Sequence, residues 1–215
     1  MNYFRQPFAG FIGFNPKTGI LLILIFGAIR FLLVLGAAKT GNYSLVSVVF
    51  LMMWITPFLL LNKAGRRLTG IRGSRSAGWL LLSFLFGIAA CMAVFFIGWW
   101  LYGHQPENWF VYIAGTYNLP EEALAGQDKI VYFLIFAAIG MSFSPVGEEL
   151  MYRGLIHQAF VPRFGENGAS VIDSSAFALT HLAHFGVVFI GGTWQFLFIP
   201  ALFWMFLMYL SSRLF

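Results

Sequence analysis

The chain has 215 residues, of which 60% are hydrophobic and 10% charged, with a formal net charge of +5. A soluble domain carries about 25% charged residues, so this chain lacks the material for a water-facing surface, and lipid is the solvent its composition implies. Its positive charges lie in short loops between apolar runs, which excludes nucleic acid as the reason for them. A single cysteine, Cys91, excludes an internal disulfide framework and a cysteine-based metal site, and reads as a small packing residue.

The elements expected in chain order are membrane-spanning helices. Uninterrupted apolar runs argue against a membrane barrel, whose strands alternate. Met1–Lys17 carries Arg5 and Lys17 beside aromatic residues and is not a cleavable signal, because the apolar run that follows is too long and has no small-residue cleavage site. A first span is expected over Gly19–Ala38, interrupted by Arg30. That arginine is read as facing the bundle or snorkelling to an interface, the alternative being an intramembrane ion pair. A second span covers Tyr43–Leu61 and holds Pro57. A third covers Gly78–Tyr102. A polar, acidic stretch follows from Gly103 to Asp128. The fourth starts at Lys129 and stays apolar past Pro145 towards Val161. The fifth covers about Ala169–Ile190 and the sixth Thr193–Phe215.

The fold class implied is all-α, a polytopic membrane bundle of about six transmembrane helices forming one domain over 1–215. Lys63, Arg66, Arg67, Arg72 and Arg75 follow the second span, while the loop after the third is acidic. The positive-inside rule therefore makes the basic loop and the N-terminus cytoplasmic and Gly103–Asp128 external. The location implied is a plasma membrane, of the bacterial inner-membrane kind. Trp99, Trp100, Tyr102 and Trp109 suit an outer interfacial belt.

Acids and bases inside a membrane are costly and mark sites. The fourth span contains Ser144-Pro145-Val146-Gly147-Glu148-Glu149, followed by Arg153. Glu149 and Arg153 are i and i+4 on one helix face, which predicts a salt bridge. Glu148 points about 100° away and needs another partner. Pro145 should bend or loosen the helix before it. The fifth span holds Phe177, His181 and His184. Pro162, Gly165, Asn167 and Gly168 mark a turn between the two spans, and the midpoint of Glu148 and His181 falls at Phe164–Gly165. In an antiparallel hairpin the two lie at one depth, where a carboxylate and an imidazole can hold and deprotonate a water. The spacing of His181 and His184 leaves a metal site as an alternative, but no H-E-x-x-H is present. His157 reads as a residue near the cytoplasmic boundary, and Asp173 and Ser174 as the polar entrance of the fifth span.

Glu148-Glu149-x-x-x-Arg153 followed by Phe177-x-x-x-His181 resembles the first two motifs of the CAAX-protease and bacteriocin-processing (CPBP, Abi) intramembrane endopeptidases. The neighbouring Pro145, Arg153-Gly154 and Ser174-Ser175-Ala176-Phe177 fit as well. The resemblance covers about Gly140 to Phe215, within a core of about 129–215. It implies a helical membrane fold with a cavity open to the cytoplasmic side and a metal-independent, glutamic-type mechanism without a cofactor. In that mechanism Glu148 and His181 activate the water, while Glu149, Arg153 and Phe177 support them. Membrane lipid and a peptide or lipidated-protein substrate, or a membrane protein complex, are the partners it implies. The family's later helix, with a His and an Asn that steady the oxyanion, has no counterpart here. After His184 there is no histidine and after Asn167 no asparagine. The sequence thus leaves three readings: an endopeptidase, a catalytically impaired relative acting as a membrane subunit or scaffold, and a transporter. The lack of an inverted repeat counts against the last.

Overall fold

The computed structural model describes residues 3–73, 76–117 and 129–214, apart from the side chains of 136, 137, 139, 141 and 214. It is helical, with one short two-stranded hairpin. Among the described residues two helices are long and apolar enough to cross a membrane, Pro16–Thr40 and Ala77–Tyr102; Ser44–Leu60 and Phe198–Arg213 are apolar but shorter. Most of the expected acidic loop, 118–128, lies outside the described residues.

The first long helix starts at Pro16, capped by Asn15, whose side chain accepts from the Thr18 N–H. It widens into a π turn over Ile23–Ala28 and ends at Gly41 in the left-handed conformation. Gly27 sits in that turn, and a Cβ there would meet Thr180 Cγ2 at 3.1 Å. The missing side chain lets this helix lie close against the His181 helix, and Arg30 follows within one turn. Ser44–Leu60 then runs back with Pro57 inside it. It touches the fourth span through Gly147, where a Cβ would stand 3.1 Å from the Phe50 carbonyl and 2.9 Å from Trp54. The Trp54 indole N–H donates to the Phe143 carbonyl at 2.6 Å.

The fourth span is not one regular helix. α-Helix Lys129–Ala138 passes into a π turn at Ile139–Phe143, back to α at Ser144–Glu148, and into a second π stretch at Glu149–Ile156. Pro145 falls in the first turn of the Ser144 segment, where its missing N–H is tolerated. The loosening expected before Glu148 takes the form of the preceding π turn. The helix then continues to a break at Gly165, with φ 68° and ψ 175°, a combination essentially reserved to glycine. The chain reverses there, and residues 166–181 pack back alongside.

The fifth and sixth spans differ from expectation. The fifth helix ends at His181, and the apolar residues after it form an antiparallel hairpin, Val187–Ile190 with Thr193–Phe196. Short apolar runs with β-branched residues are ambiguous between helix and strand, and Gly186, Gly191 and Gly192, all at positive φ, settle this one as strands. The last helix accordingly begins at Phe198, not Thr193. Phe185 and Val188 are buried against Trp109, Tyr112 and Trp204. Tyr112 accepts from the Phe189 N–H at 2.8 Å, and Lys39 lies over the Phe189 ring. The hairpin therefore covers the Thr40 end of the bundle. A second cluster, including Leu22, Phe26, Val34, Met53, Met151 and Leu155, joins the first, second and fourth spans. Ala77–Tyr102 contributes one buried residue, Gly98, seated on Trp109. Cys91, read above as a packing residue, is exposed on that helix, as suits an element solvated by lipid.

Candidate active site

Arg30 is 1% exposed and stands at the centre of the site. Its Nη2 lies 2.6 Å from Glu148 Oε1, 3.5 Å from His181 Nε2 and 3.3 Å from His184 Nε2. Its Nη1 donates to Thr180 Oγ1 at 3.1 Å. Arg30 faces the bundle, as one reading had it, and makes the ion pair of the other; it does not snorkel to an interface. The reason is energetic: burying a guanidinium costs several kcal/mol unless a counter-charge and hydrogen-bond acceptors meet it. Because one nitrogen touches both, Glu148 Oε1 and His181 Nε2 are separated by no more than about 6 Å, the span of two hydrogen bonds through one bridging atom. The matched depth inferred about Gly165 corresponds to this meeting.

Local structure fixes the tautomer of His181. Its Nδ1 is 2.8 Å from the Phe177 carbonyl, which only accepts, so Nδ1 carries the proton and Nε2 turns its lone pair towards Arg30 and Glu148. The Phe177 ring lies 4.2 Å from the imidazole, centre to centre, and edge-on to Tyr152. The Trp204 indole N–H donates to the His181 carbonyl at 2.9 Å, so the last helix also steadies this residue. The contact of Arg30 with Glu148 is a charge contact whose angle falls short of a hydrogen bond. Glu148 Oε1 and Arg30 Nε are buried without a hydrogen-bond partner among the described residues.

The second arginine behaves differently from expectation. Arg153 does not bridge to Glu149; its Nη1 is 2.9 Å from Asp173 Oδ1 and donates to Ser174 Oγ at 3.2 Å. Asp173 is completely buried whereas Glu149 is exposed. A buried carboxylate left unpaired costs far more than a solvated one, so the guanidinium goes to Asp173. His157 completes the cluster, with Nδ1 2.6 Å from Asp173 Oδ2 and Nε2 2.8 Å from Glu166 Oε2. Asp173 and Ser174 are thus not a polar entrance but the buried centre of a second charge cluster, and His157 is part of it. The midpoint test that paired Glu148 with His181 also pairs His157 with Asp173, about position 165. Only the burial of Asp173 was hidden.

A cavity of about 670 Å³ reaches the site. His184 and Phe50, whose ring stacks under the Arg30 guanidinium, form its inner wall, and Thr40, Asn42, Tyr43 and Tyr117 its outer wall. Arg30 is ten residues from Thr40, about 15 Å of helix, whereas His181 is sixteen residues from Gly165, about 24 Å. A separate cavity of about 500 Å³ lies at the other end, beside Thr69, Glu149, Arg153 and His157. The cavity that touches the site thus lies on the side of Thr40–Ser44, away from the reversal at Gly165. Among the described residues no group of three His, Cys, Asp or Glu is placed to hold a metal ion.

The region that builds the site also carries the family signal. Residues 130–215 match the family model of the Rce1-like, type II CAAX prenyl endopeptidases. The family seen in the two motifs is the one this comparison returns. The match takes in Glu148, Glu149, Arg153, Phe177 and His181, and leaves out Arg30. No curated protein and no solved structure matches the chain. The C-terminal part of the chain is thus similar to CAAX-protease-like endopeptidases, and the chain carries apolar helices of membrane-crossing length. Arg30 is the residue that sequence reasoning undervalued. Its one signal was the cost of a cation in an apolar span, and nothing local names a partner 118 positions away at Glu148.

Proposed function

We propose that the chain is an intramembrane endopeptidase in which Glu148 and His181 activate a water for attack on a peptide bond. The observation that carries this reading is the convergence of the Glu148 carboxylate and the His181 Nε2 lone pair on one point, within about 6 Å of each other. A water between them donates one hydrogen to each acceptor, leaving its lone pair directed at a scissile carbonyl. The water oxygen bonds to the carbonyl carbon while its proton passes to Glu148. The C–N bond then breaks, and the amine leaves with that proton. Arg153 and Phe177 support this arrangement: Phe177 through its carbonyl and ring, Arg153 by fixing the second arm of the hairpin through Asp173. The mechanism is of the glutamic type and needs no metal, because the point between Glu148, His181 and His184 is held by a guanidinium, whose charge repels a cation.

The substrates proposed are membrane-borne peptides or lipidated proteins, the family's description being that of prenyl endopeptidases. They reach the site from lipid and from the cavity beside Thr40–Ser44. The location proposed is a bacterial inner membrane, N-terminus inside. A second reading, a non-catalytic membrane subunit, is favoured by the direct Arg30–Glu148 contact, which a purely structural ion pair would also show. The test is cleavage of a fluorogenic peptide carrying a prenylated cysteine, by the purified protein in lipid nanodiscs. Cleavage by the wild type and its loss in Glu148→Gln support the enzyme; equal background rates with both leave the scaffold.

A further inference from the structure

Within the site as proposed, one group has no assigned task. Arg30 lies outside the stretch that matches the family, yet its Nη2 lies within 3.5 Å of Glu148, His181 and His184. We infer that Arg30 is a catalytic residue: its guanidinium stabilises the oxyanion that forms on the scissile carbonyl. This rests on the peptidase reading above.

Three observations lead there. First, Nη2 occupies the point between Glu148 Oε1 and His181 Nε2, at 2.6 and 3.5 Å, where the attacking water must stand. Water and guanidinium cannot share that point, so the reactive arrangement requires Nη2 to move aside by about the width of a water, roughly 3 Å. Second, Arg30 is tethered on the far side by Nη1 to Thr180 Oγ1. The fork therefore pivots about that bond rather than leaving the site. Third, Arg30 Nε is a buried donor without an acceptor among the described residues. An unmet buried donor costs free energy, and that cost disappears only when an acceptor arrives. A developing alkoxide next to the water is such an acceptor, and a preorganised cation at that place acts most strongly in the transition state.

In the balanced reaction the guanidinium neither gains nor loses a proton. Glu148 takes the proton from water as the water oxygen bonds to the carbonyl carbon, so the negative charge that begins on Glu148 ends on the carbonyl oxygen. Arg30 follows it from one oxygen to the other, so the cation remains paired in both states. His184, 3.3 Å from Nη2, gives the displaced nitrogen a second acceptor on the side of the cavity.

The experiment is steady-state cleavage of the prenylated fluorogenic peptide by wild type, Glu148→Gln, Arg30→Met, Arg30→Lys and Arg30→Ala. Each is checked for folded yield by size-exclusion chromatography. The expected result for Arg30→Met is a fall in kcat of about 10²–10³-fold with KM little changed. Arg30→Lys, which keeps the charge but not the fork, falls in between, and it decides the matter if Arg30→Met fails to fold. Millimolar methylguanidinium should restore part of the rate to Arg30→Ala. A kcat loss that vanishes at higher pH would show that Arg30 acts only by keeping Glu148 ionised, and overturns the proposal. So does an Arg30→Lys enzyme of full rate together with no rescue of Arg30→Ala. If wild type cleaves and Glu148→Gln does not, while Arg30→Met keeps its kcat, only the role of Arg30 falls. If wild type and Glu148→Gln are alike inert, the peptidase reading falls and this inference with it.

Discussion

Two arginines are sunk in this bundle, Arg30 on the first long helix and Arg153 on the fourth span, and they are partnered in opposite ways. Arg153 and its neighbours form a closed set. Asp173 Oδ1 receives Arg153 and Ser174, and Asp173 Oδ2 receives His157, which in turn holds Glu166. Arg30 and its neighbours form an open set, in which Arg30 Nε and Glu148 Oε1 lack hydrogen bonds among the described residues and a single nitrogen faces a carboxylate and two imidazoles. A satisfied buried network rigidifies a fold, whereas one with unmet donors and acceptors is costly and is kept for a purpose. The closed cluster clasps the hairpin that carries both motifs; the open one lies where chemistry is possible.

The contrast breaks first at activity. Glu148→Gln and His181→Ala should each lower the cleavage rate of the folded fraction by about 10²–10⁴-fold, the usual contribution of a positioned acid–base group, while leaving membrane insertion near wild type. Arg153→Met should do the reverse. Removing one partner of a buried pair costs about 3–5 kcal/mol, so the variant is expected to lose thermal stability, while the fraction that remains folded keeps its kcat. If Arg153→Met instead folds normally and loses kcat, the closed cluster belongs to the chemistry and the division is wrong.

A double substitution sharpens the comparison at the open cluster. Arg30→Met alone strands the Glu148 charge, and Glu148→Leu alone strands the guanidinium, so each should destabilise. Together they replace an ion pair by apolar groups, which is often neutral or stabilising by about 1–4 kcal/mol. A melting temperature of the double variant at or above wild type, with no activity, is the outcome expected of a pair kept for function. A double variant less stable than either single one would show that the pair holds the fold together.

How much of this was readable beforehand follows from the range of the interactions. Glu148 and His181 could be paired because a turn lies midway between them, and a hairpin matches depths by counting residues. His157 and Asp173 obey the same count, but their burial depends on neighbours that a one-dimensional pattern does not show. Arg153 was assigned to Glu149 by helical spacing, and Asp173 took it because tertiary burial outweighs an i, i+4 preference worth tenths of a kcal/mol. The strand hairpin after His181 looked like the end of a span, since four apolar residues carry no period of their own. Arg30 needed knowledge of which helices touch, and Gly27, the residue that lets them touch, looks like any other glycine in an apolar run.

The smallest expected effect tests how far the open cluster depends on its backbone setting. Gly147 precedes Glu148, and its Cα faces the second span at close quarters. A methyl group there would stand 3.1 Å from the Phe50 carbonyl and 2.9 Å from Trp54 Cδ1. The indole is already fixed by its bond to the Phe143 carbonyl, and Phe50 lies under the Arg30 guanidinium, so neither neighbour yields freely. Overpacking of this kind typically costs about 1–3 kcal/mol. Gly147→Ala should therefore lower the melting temperature modestly. It should also push Ser144–Glu148 away from the second span and shift the Glu148 carboxylate against Arg30 and His181. A displacement of about 1 Å at a reacting group is enough to cost 10²-fold in rate. The variant is expected to lose more kcat than its stability explains, whereas Gly19→Ala, which meets the flat ring of Phe160 remote from the cluster, should lose stability alone. Equal kcat in both folded variants would mean that the Glu148 carboxylate finds its place without the close contact at Gly147, and that the open cluster is held by its charges rather than by the packing of the second span.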